Sequence, residues 1–254
     1  PNVGKHLQDH LGINYFHLAN RPTLNNILGS WPHLILAGMR YLLRRQGPLS
    51  IGVNQLGGLV RATPDAPRLD TQLYINPITY RISDNNKRRL TKPDRAPGFV
   101  LSFNACRPHS TGSVCIKSSD AIVPPAIYGN YLSDQRDIDD VLRMARFIGR
   151  MQNSSSVGQL LAAPPEIDLL SLSDNDIIED FKARSGTVFH PCGTCRMGPD
   201  RRHSVVDAQL CVHGVEKLRV ADASIFPNIT SANTNAPTIA VAHKAADLIL
   251  QSQR

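Results

Sequence analysis

The residue types that could carry chemistry gather in the last quarter of the chain, around His190. This histidine stands in the run FHPCGTCRMG, which covers residues 189–198. An imidazole has an unperturbed pKa near ~6.5, so it accepts a proton readily at neutral pH. A lone histidine is more often a hydrogen-bonded structural residue, but small neighbours such as Gly193 let another molecule approach the backbone closely. His190 is therefore the first candidate for a general base.

An asparagine-rich turn supplies the second candidate feature. The run SANTNAPT covers residues 231–238 and precedes an apolar segment with helical periodicity. Its asparagines suit the capping of a helix, and Pro237 suits the first helical turn. The same start of a helix carries free N–H donors and a partial positive charge. It therefore also favours an anionic group that lies close to the helix end.

Two cysteines offer a competing chemistry. Cys192 and Cys195 follow Pro191 as P-C-x-x-C, which is half of a zinc-deaminase signature, but no histidine in the chain has a glutamate two residues later. Cys211 and His213 could add metal ligands, although a pair separated by one residue is poorly spaced. The same cysteines would also serve as a redox dithiol if a thioredoxin-like strand and helix flanked them. A metal- or thiol-dependent module using Cys192 and Cys195 therefore stays open as the alternative.

Two common motifs are missing from the sequence. No G-x-S-x-G occurs, so a serine-hydrolase elbow is excluded. No two glycines lie two positions apart, so the G-x-G-x-x-G loop that cradles a dinucleotide pyrophosphate is excluded as well.

Length and composition bound the class of protein. The chain has 254 residues, 41% of them hydrophobic, which suffices for a core in one large domain or two small ones. Its net charge of +7 comes with only 6% aromatic residues and with short, scattered basic runs, which argues against nucleic-acid binding. The basic balance instead suits an anionic cofactor or contact with an anionic membrane surface. Five cysteines, an odd number, indicate a reducing, cytoplasmic compartment, with peripheral membrane association left open.

Periodicity predicts a mixed architecture. Helices are expected at residues 24–45 with a break at 29–32, and at 134–151, 173–184 and 236–251. Strands are expected at 50–61, 69–78, 98–106 and 112–118, with short strands at 205–206 and 218–220, the latter leading to Asp222. Residues 1–10 and 85–97 read as loops. Because the strands follow one another without helices between them, the fold class is α+β with an antiparallel sheet.

These motifs resemble the C-terminal part of the glucose–methanol–choline (GMC) flavin oxidoreductases, in the branch of choline dehydrogenase and related bacterial alcohol dehydrogenases. The resemblance is carried by FHPCGTCRMG, by LRVADASIFP at 218–227 and by SANTNAPT. The opening PNVGKHLQDH is similar to the loop that ends the family's first FAD segment, and RPHSTGSV at 107–114 is similar to part of its substrate-domain sheet.

The resemblance implies a cofactor, a reaction and roles for particular residues. It implies FAD-dependent oxidation of a primary alcohol, choline-like or aliphatic, to the aldehyde, with hydride transfer to flavin N5. His190 would be the base and Asn233 its hydrogen-bond partner on the alcohol oxygen. Asp222 and Ala223, together with Asn235 and Ala236 at the helix start, would contact the flavin. No metal is implied, and the electron acceptor, quinone-type or other, is left open.

The resemblance also implies a division of the chain. Residues 1–20 would end the N-terminal FAD segment, 21–185 would form the substrate-binding domain, and 186–254 would return to a Rossmann-like FAD domain. The glycine-rich FAD loop would then lie in a missing upstream half. The isolated chain is accordingly expected to be inactive.

Overall fold

The structure is a computed structural model that describes residues 2–52, 54–82 and 90–251, with side chains for all of these except residues 81, 82 and 90–92. The strands are β1 Lys5–Leu7, β2 Leu11–Leu18, β3 Leu56–Val60, β4 Thr71–Asn76, β5 Tyr80–Ile82, β6 Leu90–Pro93, β7 Gly98–Ala105, β8 Gly112–Cys115, β9 Ala126–Tyr128 and β10 Gly186–Thr187. The helices are α1 Leu24–Leu28, α2 Trp31–Arg44, α3 Gln135–Gln152, α4 Ser155–Gly158, α5 Asp174–Arg184 and α6 Asn235–Gln251.

The chain divides into two compact units. The first unit, called the motif unit here, combines Pro1–Gly12, Ala105–Asp140 and Gly186–Arg254. The second, called the sheet unit, combines Ile13–Asn104 and Val141–Ser185. Among the described residues no helix is both long enough and apolar enough to cross a membrane.

An antiparallel sheet organises the sheet unit. Its strands lie in the order β2, β7, β4, β3, and β3 runs antiparallel to β4 with Leu56 opposite Ile75. Strand β7 is buried along nearly its whole length, as expected for an inner strand that is covered on both faces. The ring of Phe103 on β7 stacks between Tyr15 and Phe181, with centroid distances of 6.1 and 6.0 Å. These rings tie the sheet to α5.

The predicted helices of the sheet unit are confirmed, and their ends follow from local chemistry. The break predicted at 29–32 separates α1 from α2, because Gly29 ends the first helix and Pro32 occupies the first turn of the second. Ser173 caps α5 as predicted, since its Oγ accepts the Asp176 N–H at 3.2 Å. The α+β class with antiparallel pairing is confirmed.

The motif unit combines a small sheet with a long irregular segment. Strands β1, β8 and β9 pair antiparallel in that order. Strand β10 pairs antiparallel with the first two residues of β2, Leu11 and Gly12. A separate cluster of buried residues forms the core beneath α6, made of Cys192, Val205, Val206, Leu210, Ile225, Phe226, Ile229 and Ala245.

Several sequence predictions were wrong in this unit. Residues 1–10 are not only a loop, because β1 pairs with β8 about a hundred positions later, and no local signal reveals such a partner. The segment leading to Asp222 holds only an isolated bridge between Cys211 and Arg219, not a strand. Asp222 instead caps a short 3-10 turn at Ala223–Ile225.

The loop predicted at residues 85–97 was partly wrong. Residues 85–89 lie outside the described part of the chain, but Leu90–Pro93 is strand β6, paired with β5. The strand predicted at 50–61 is shorter than expected, since among its described residues the paired strand is Leu56–Val60. The division into cofactor and substrate segments at 1–20, 21–185 and 186–254 stays a prediction.

Candidate active site

The site lies within the motif unit, where two distant segments hold His190 in place. The His190 N–H donates to Asp9 Oδ1 at 2.9 Å, and the Val188 N–H donates to the His10 carbonyl at 3.1 Å. Between them Phe189 adopts a left-handed backbone with φ of 65°, which costs a bulky residue about 1–2 kcal/mol. The hydrogen bonds on either side fix this turn, which leaves Phe189 exposed and His190 buried.

Asp9 is the anchor of this turn. Besides the His190 N–H, its carboxylate accepts from the Tyr131 hydroxyl at 2.7 Å and from the Thr187 hydroxyl. Three donors on one buried carboxylate satisfy the charge that burial would otherwise leave uncompensated. Asp9 therefore joins the start of the chain to the histidine motif.

The imidazole of His190 has a polar partner on each ring nitrogen. Asn233 Nδ2 lies 3.1 Å from His190 Nε2, and His10 Nδ1 lies 2.9 Å from His190 Nδ1. The two histidine rings meet edge to face, at an interplanar angle of 85°. His10 is fully buried, and its Nε2 lies 3.1 Å from the Cys106 carbonyl.

This chain of contacts fixes the tautomer of His190. A carbonyl oxygen only accepts, so the proton of neutral His10 sits on Nε2 and its Nδ1 is an acceptor. His190 must then donate from Nδ1, which leaves the lone pair of its Nε2 toward Asn233. The nitrogen that faces Asn233 is thus the basic one.

Burial keeps both imidazoles neutral. Desolvation lowers the pKa of His190, and the charge of Asp9 acts in the opposite direction. Desolvation likewise lowers the pKa of His10, with the Cys106 carbonyl opposing it. At neutral pH His190 is therefore an unprotonated base, which is the state that proton abstraction requires.

The predicted cofactor residues divide into two pairs. Asn235 and Ala236 are exposed at the start of the 17-residue helix α6, two and three positions after Asn233. Their N–H groups precede the helical hydrogen-bond ladder, so this end offers donors and a partial positive charge. Asp222 Oδ1 accepts the Ser224 N–H at 2.8 Å, and the Ala223 carbonyl lies 3.3 Å from the Gly193 nitrogen. The free backbone N–H groups at the start of α6 could therefore donate hydrogen bonds to an electron-rich aromatic ring of a bound ligand.

Gly193 has a structural use that differs from the one expected. Its φ is 85°, and a Cβ there would lie 2.5 Å from the His6 carbonyl oxygen. The close approach at this glycine is thus made by the chain's own backbone, because the β1 segment passes directly against the motif. Cys192 continues this contact by exchanging two backbone hydrogen bonds with Gln8, at 2.9 and 3.0 Å.

The alternative use of Cys192 and Cys195 finds little geometric support. Burial raises the pKa of Cys192 to about 12, so this thiol is a poor nucleophile and metal ligand at neutral pH. Within residues 2–52, 54–82 and 90–251 no three His, Cys, Asp or Glu side chains are grouped so that they could hold a metal ion. Cys192 instead belongs to the core beneath α6, and Cys195 packs against that core.

Two site residues were missed at the level of sequence. Asp9 and His10 lie in the opening run PNVGKHLQDH, which carried part of the family resemblance but was assigned no role. The available signal was an acidic residue followed by a histidine in a segment without helical or strand periodicity. Nothing local links them to residues 180 positions away.

Comparisons with known proteins identify the family of the chain. The family profile described as "GMC oxidoreductase" matches residues 108–242, more than half of the chain. An alcohol dehydrogenase (acceptor) of Pseudomonas putida is 35% identical over 99% of this chain and 44% of its own length. An oxygen-dependent choline dehydrogenase of Burkholderia pseudomallei is 34% identical over 99% of this chain and 43% of its own length.

A solved structure gives the same result for the fold. The crystal structure of a formate oxidase superposes with a TM-score of 0.87 at 25% identity, covering 99% of this chain and 48% of that one. The chain therefore spans less than half the length of these relatives. Together with the family profile, these similarities show that the chain belongs to the GMC oxidoreductase family.

Proposed function

We propose that this chain carries the proton-accepting half of an FAD-dependent alcohol oxidation. The observation that carries the proposal is the 3.1 Å contact between Asn233 Nδ2 and His190 Nε2, with His190 held in the tautomer whose Nε2 is basic. Histidine in this state is the most common general base in enzymes. The names of the relatives, alcohol and choline dehydrogenases, support an alcohol as the substrate.

The residues act on the alcohol hydroxyl as follows. The hydroxyl replaces Asn233 as the partner of His190 Nε2, which takes the hydroxyl proton. The Asn233 amide then donates its hydrogen bond to the alcohol oxygen, which holds that oxygen in line. His10 keeps the His190 lone pair aimed at this point, and Asp9 holds the backbone that presents the ring. The alcohol carbon loses one hydrogen with its electron pair and becomes the aldehyde carbon.

The cofactor proposed for this chemistry is FAD. When bound, FAD supplies the two-electron acceptor for the hydrogen that leaves the alcohol carbon. Asn235 and Ala236 would hold the ring through the start of α6, and the Asp222–Ala223 turn would contact it from the other segment. A helix start of this kind favours negative charge beside it.

The substrate class and the final electron acceptor belong to the whole protein. We propose a primary alcohol, choline-like or aliphatic, as the substrate, and an electron acceptor of the quinone type or another class. We also propose that the 254-residue chain does not turn over alcohol alone, since its sequence has no G-x-G-x-x-G loop for the FAD pyrophosphate.

The test is alcohol-dependent bleaching of the flavin in the complete gene product that contains this chain. The purified protein is mixed without oxygen with choline or with an aliphatic primary alcohol, and flavin absorbance is followed. We expect bleaching with at least one of these and aldehyde formed in equal amount. A protein that carries flavin yet is bleached by neither alcohol contradicts the proposal.

A cysteine variant separates this function from the metal or thiol alternative. The double change Cys192→Ser and Cys195→Ser leaves His190, Asn233 and His10 in place. We expect alcohol-dependent bleaching to persist in this variant within about threefold. Loss of bleaching together with loss of bound zinc on elemental analysis would favour the metal-dependent module instead.

A further inference from the structure

Helix α2, in the sheet unit, turns its apolar face outward. The residue it buries is Ala37, while Trp31, Leu42 and Leu43 are 73%, 70% and 84% exposed. Ile35, Leu36 and Met39 are exposed as well, each by about half. A surface helix of a globular protein normally does the opposite and buries its large apolar residues.

The exposed residues form one continuous stripe. Trp31, Ile35, Met39 and Leu42 recur at helical spacing, so they lie on one side of the helix. Exposed apolar residues also follow the helix, at Leu49 and Ile51. Single exposed apolar residues are ordinary, but a contiguous patch of this kind marks an interaction surface.

One edge of the exposed apolar face of α2 adjoins arginines, and the segment has no acidic residue. Arg40 and Arg44 are exposed on the helix, and Arg45 ends it in a left-handed conformation. The sequence has no Asp or Glu between Asp9 and Asp65. The exposed apolar face therefore has positive charge at one edge, and its own segment supplies no acidic partner.

We propose that this arginine-edged face of α2 binds the surface of an anionic lipid bilayer, with the helix lying in the plane of the membrane. A helix with large apolar residues on one side and arginine beside them is typical of interfacial helices. At 1.5 Å per residue, its 14 residues extend about 21 Å, short of the ~30 Å hydrocarbon core, so it lies on the bilayer rather than across it.

Charge selects a lipid surface over a second copy of this chain. A symmetric dimer formed through α2 would bring the same arginines toward each other, because a two-fold interface uses the same patch on both subunits. Anionic headgroups instead complement Arg40, Arg44 and Arg45, and each basic residue near such a surface strengthens binding by about fivefold. The proposal is independent of the alcohol chemistry.

Co-sedimentation with vesicles tests the proposal. The complete gene product is mixed with phosphatidylcholine vesicles, with or without about 30% phosphatidylglycerol, at low and high salt. We expect binding to the anionic vesicles only, weakened by salt. Arg40→Gln with Arg44→Gln should weaken binding about 25-fold, and Leu42→Ser with Leu43→Ser at least tenfold. Ile116→Ser, at a residue 90% exposed in the motif unit, is the matched control and should bind normally.

The fluorescence of Trp31 gives a second readout. It is the only tryptophan in the 254-residue chain, and it lies on the stripe. Adding anionic vesicles to this chain should shift its emission to the blue and reduce quenching by iodide. The arginine variants, whose changes are confined to exposed side chains, keep this readout interpretable even where the leucine variants fold poorly.

Four results would overturn the proposal. These are no binding to anionic vesicles, binding that both double variants leave intact, and vesicle binding by the 254-residue chain that the complete gene product lacks. The fourth is self-association without lipid that the leucine variant abolishes in analytical ultracentrifugation, which would assign the face to a second copy.

Discussion

At the scale of single residues, the basicity of His190 depends on partners that differ in kind. His10 and the Cys106 carbonyl determine which ring nitrogen carries the proton, at contacts of 2.9 and 3.1 Å. Asp9 holds the backbone of the same residue and, through its charge, opposes the lowering of the His190 pKa by burial. His10 thus fixes the tautomer of His190, whereas Asp9 affects both the position of the ring and its pKa.

The lowered pKa of His190 predicts the pH dependence of the reaction. In the proposed mechanism the neutral imidazole is the active form, and burial moves its pKa below the usual ~6.5. Alcohol turnover per unit enzyme and substrate, kcat/KM, should therefore stay constant from neutral pH down to about 6.5 and fall only below it. The residual activity of His190→Gln should not show this decline. A decline that begins above pH 7 would contradict the proposed role of burial.

His10 is predicted to act as a positioning residue. Replacing it with Phe removes the acceptor for the His190 Nδ1–H, so the base loses its fixed tautomer. We expect kcat to fall about tenfold, the equivalent of one hydrogen bond of about 1.4 kcal/mol, with little change in KM. His10→Gln, whose side-chain oxygen is able to accept from Nδ1, should recover part of the loss. Equal losses in both variants, with an unchanged pH profile, would mean that His10 acts only in packing.

At the scale of elements, the geometry of the site depends on the close backbone contact between β1 and residues 192–193, which follow His190. Gly193 combines a positive φ with a Cβ position 2.5 Å from the His6 carbonyl oxygen, whereas Gly214 has a positive φ of 78° in open space. Gly214→Ala should cost about 1–2 kcal/mol of unfolding free energy through backbone strain alone. Gly193→Ala should cost about 1–3 kcal/mol more through the clash. Urea unfolding measures both, and equal losses would show that the clash relaxes without cost.

The same elements show what sequence alone reveals. Helix α5 and its cap Ser173 could be predicted because all the relevant signals lie within a few residues. Strand β1 could not, since its pairing depends on a distant partner near Ser113. For the same reason His190 could be chosen from its local motif, while the contribution of His10 required the fold to bring two segments together.

The pair His190 and Asn233 lies between these two cases, because it was predicted from the sequence but not from local signals. They are 43 positions apart, and the sequence linked them only through the family resemblance. The structure brings them together, whereas Asp222 turned out to cap a 3-10 turn instead of ending a strand. The resemblance thus paired two side chains that the fold brings together, whereas the strand expected to end at Asp222 is absent from the described structure.

At the scale of the whole molecule, the chain carries the proposed base, but its sequence has no G-x-G-x-x-G loop. It spans less than half the length of the relatives, and the residues at the start of α6 are exposed. We predict that the isolated 254-residue chain retains no flavin after desalting, measured by absorbance, while the complete gene product retains about one per chain. About one bound flavin per isolated chain would contradict the prediction that flavin binding needs residues beyond these 254.

The central claim, that His190 is the proton acceptor, is tested most directly by the rate of flavin reduction in the complete gene product. His190→Ala should slow the reduction by alcohol about 10²–10⁴-fold while the bound flavin remains. His203→Ala, at an exposed histidine of the same unit, should leave the rate unchanged and serves as the control. A His190→Ala variant that is reduced as fast as the unmodified protein would contradict the assignment.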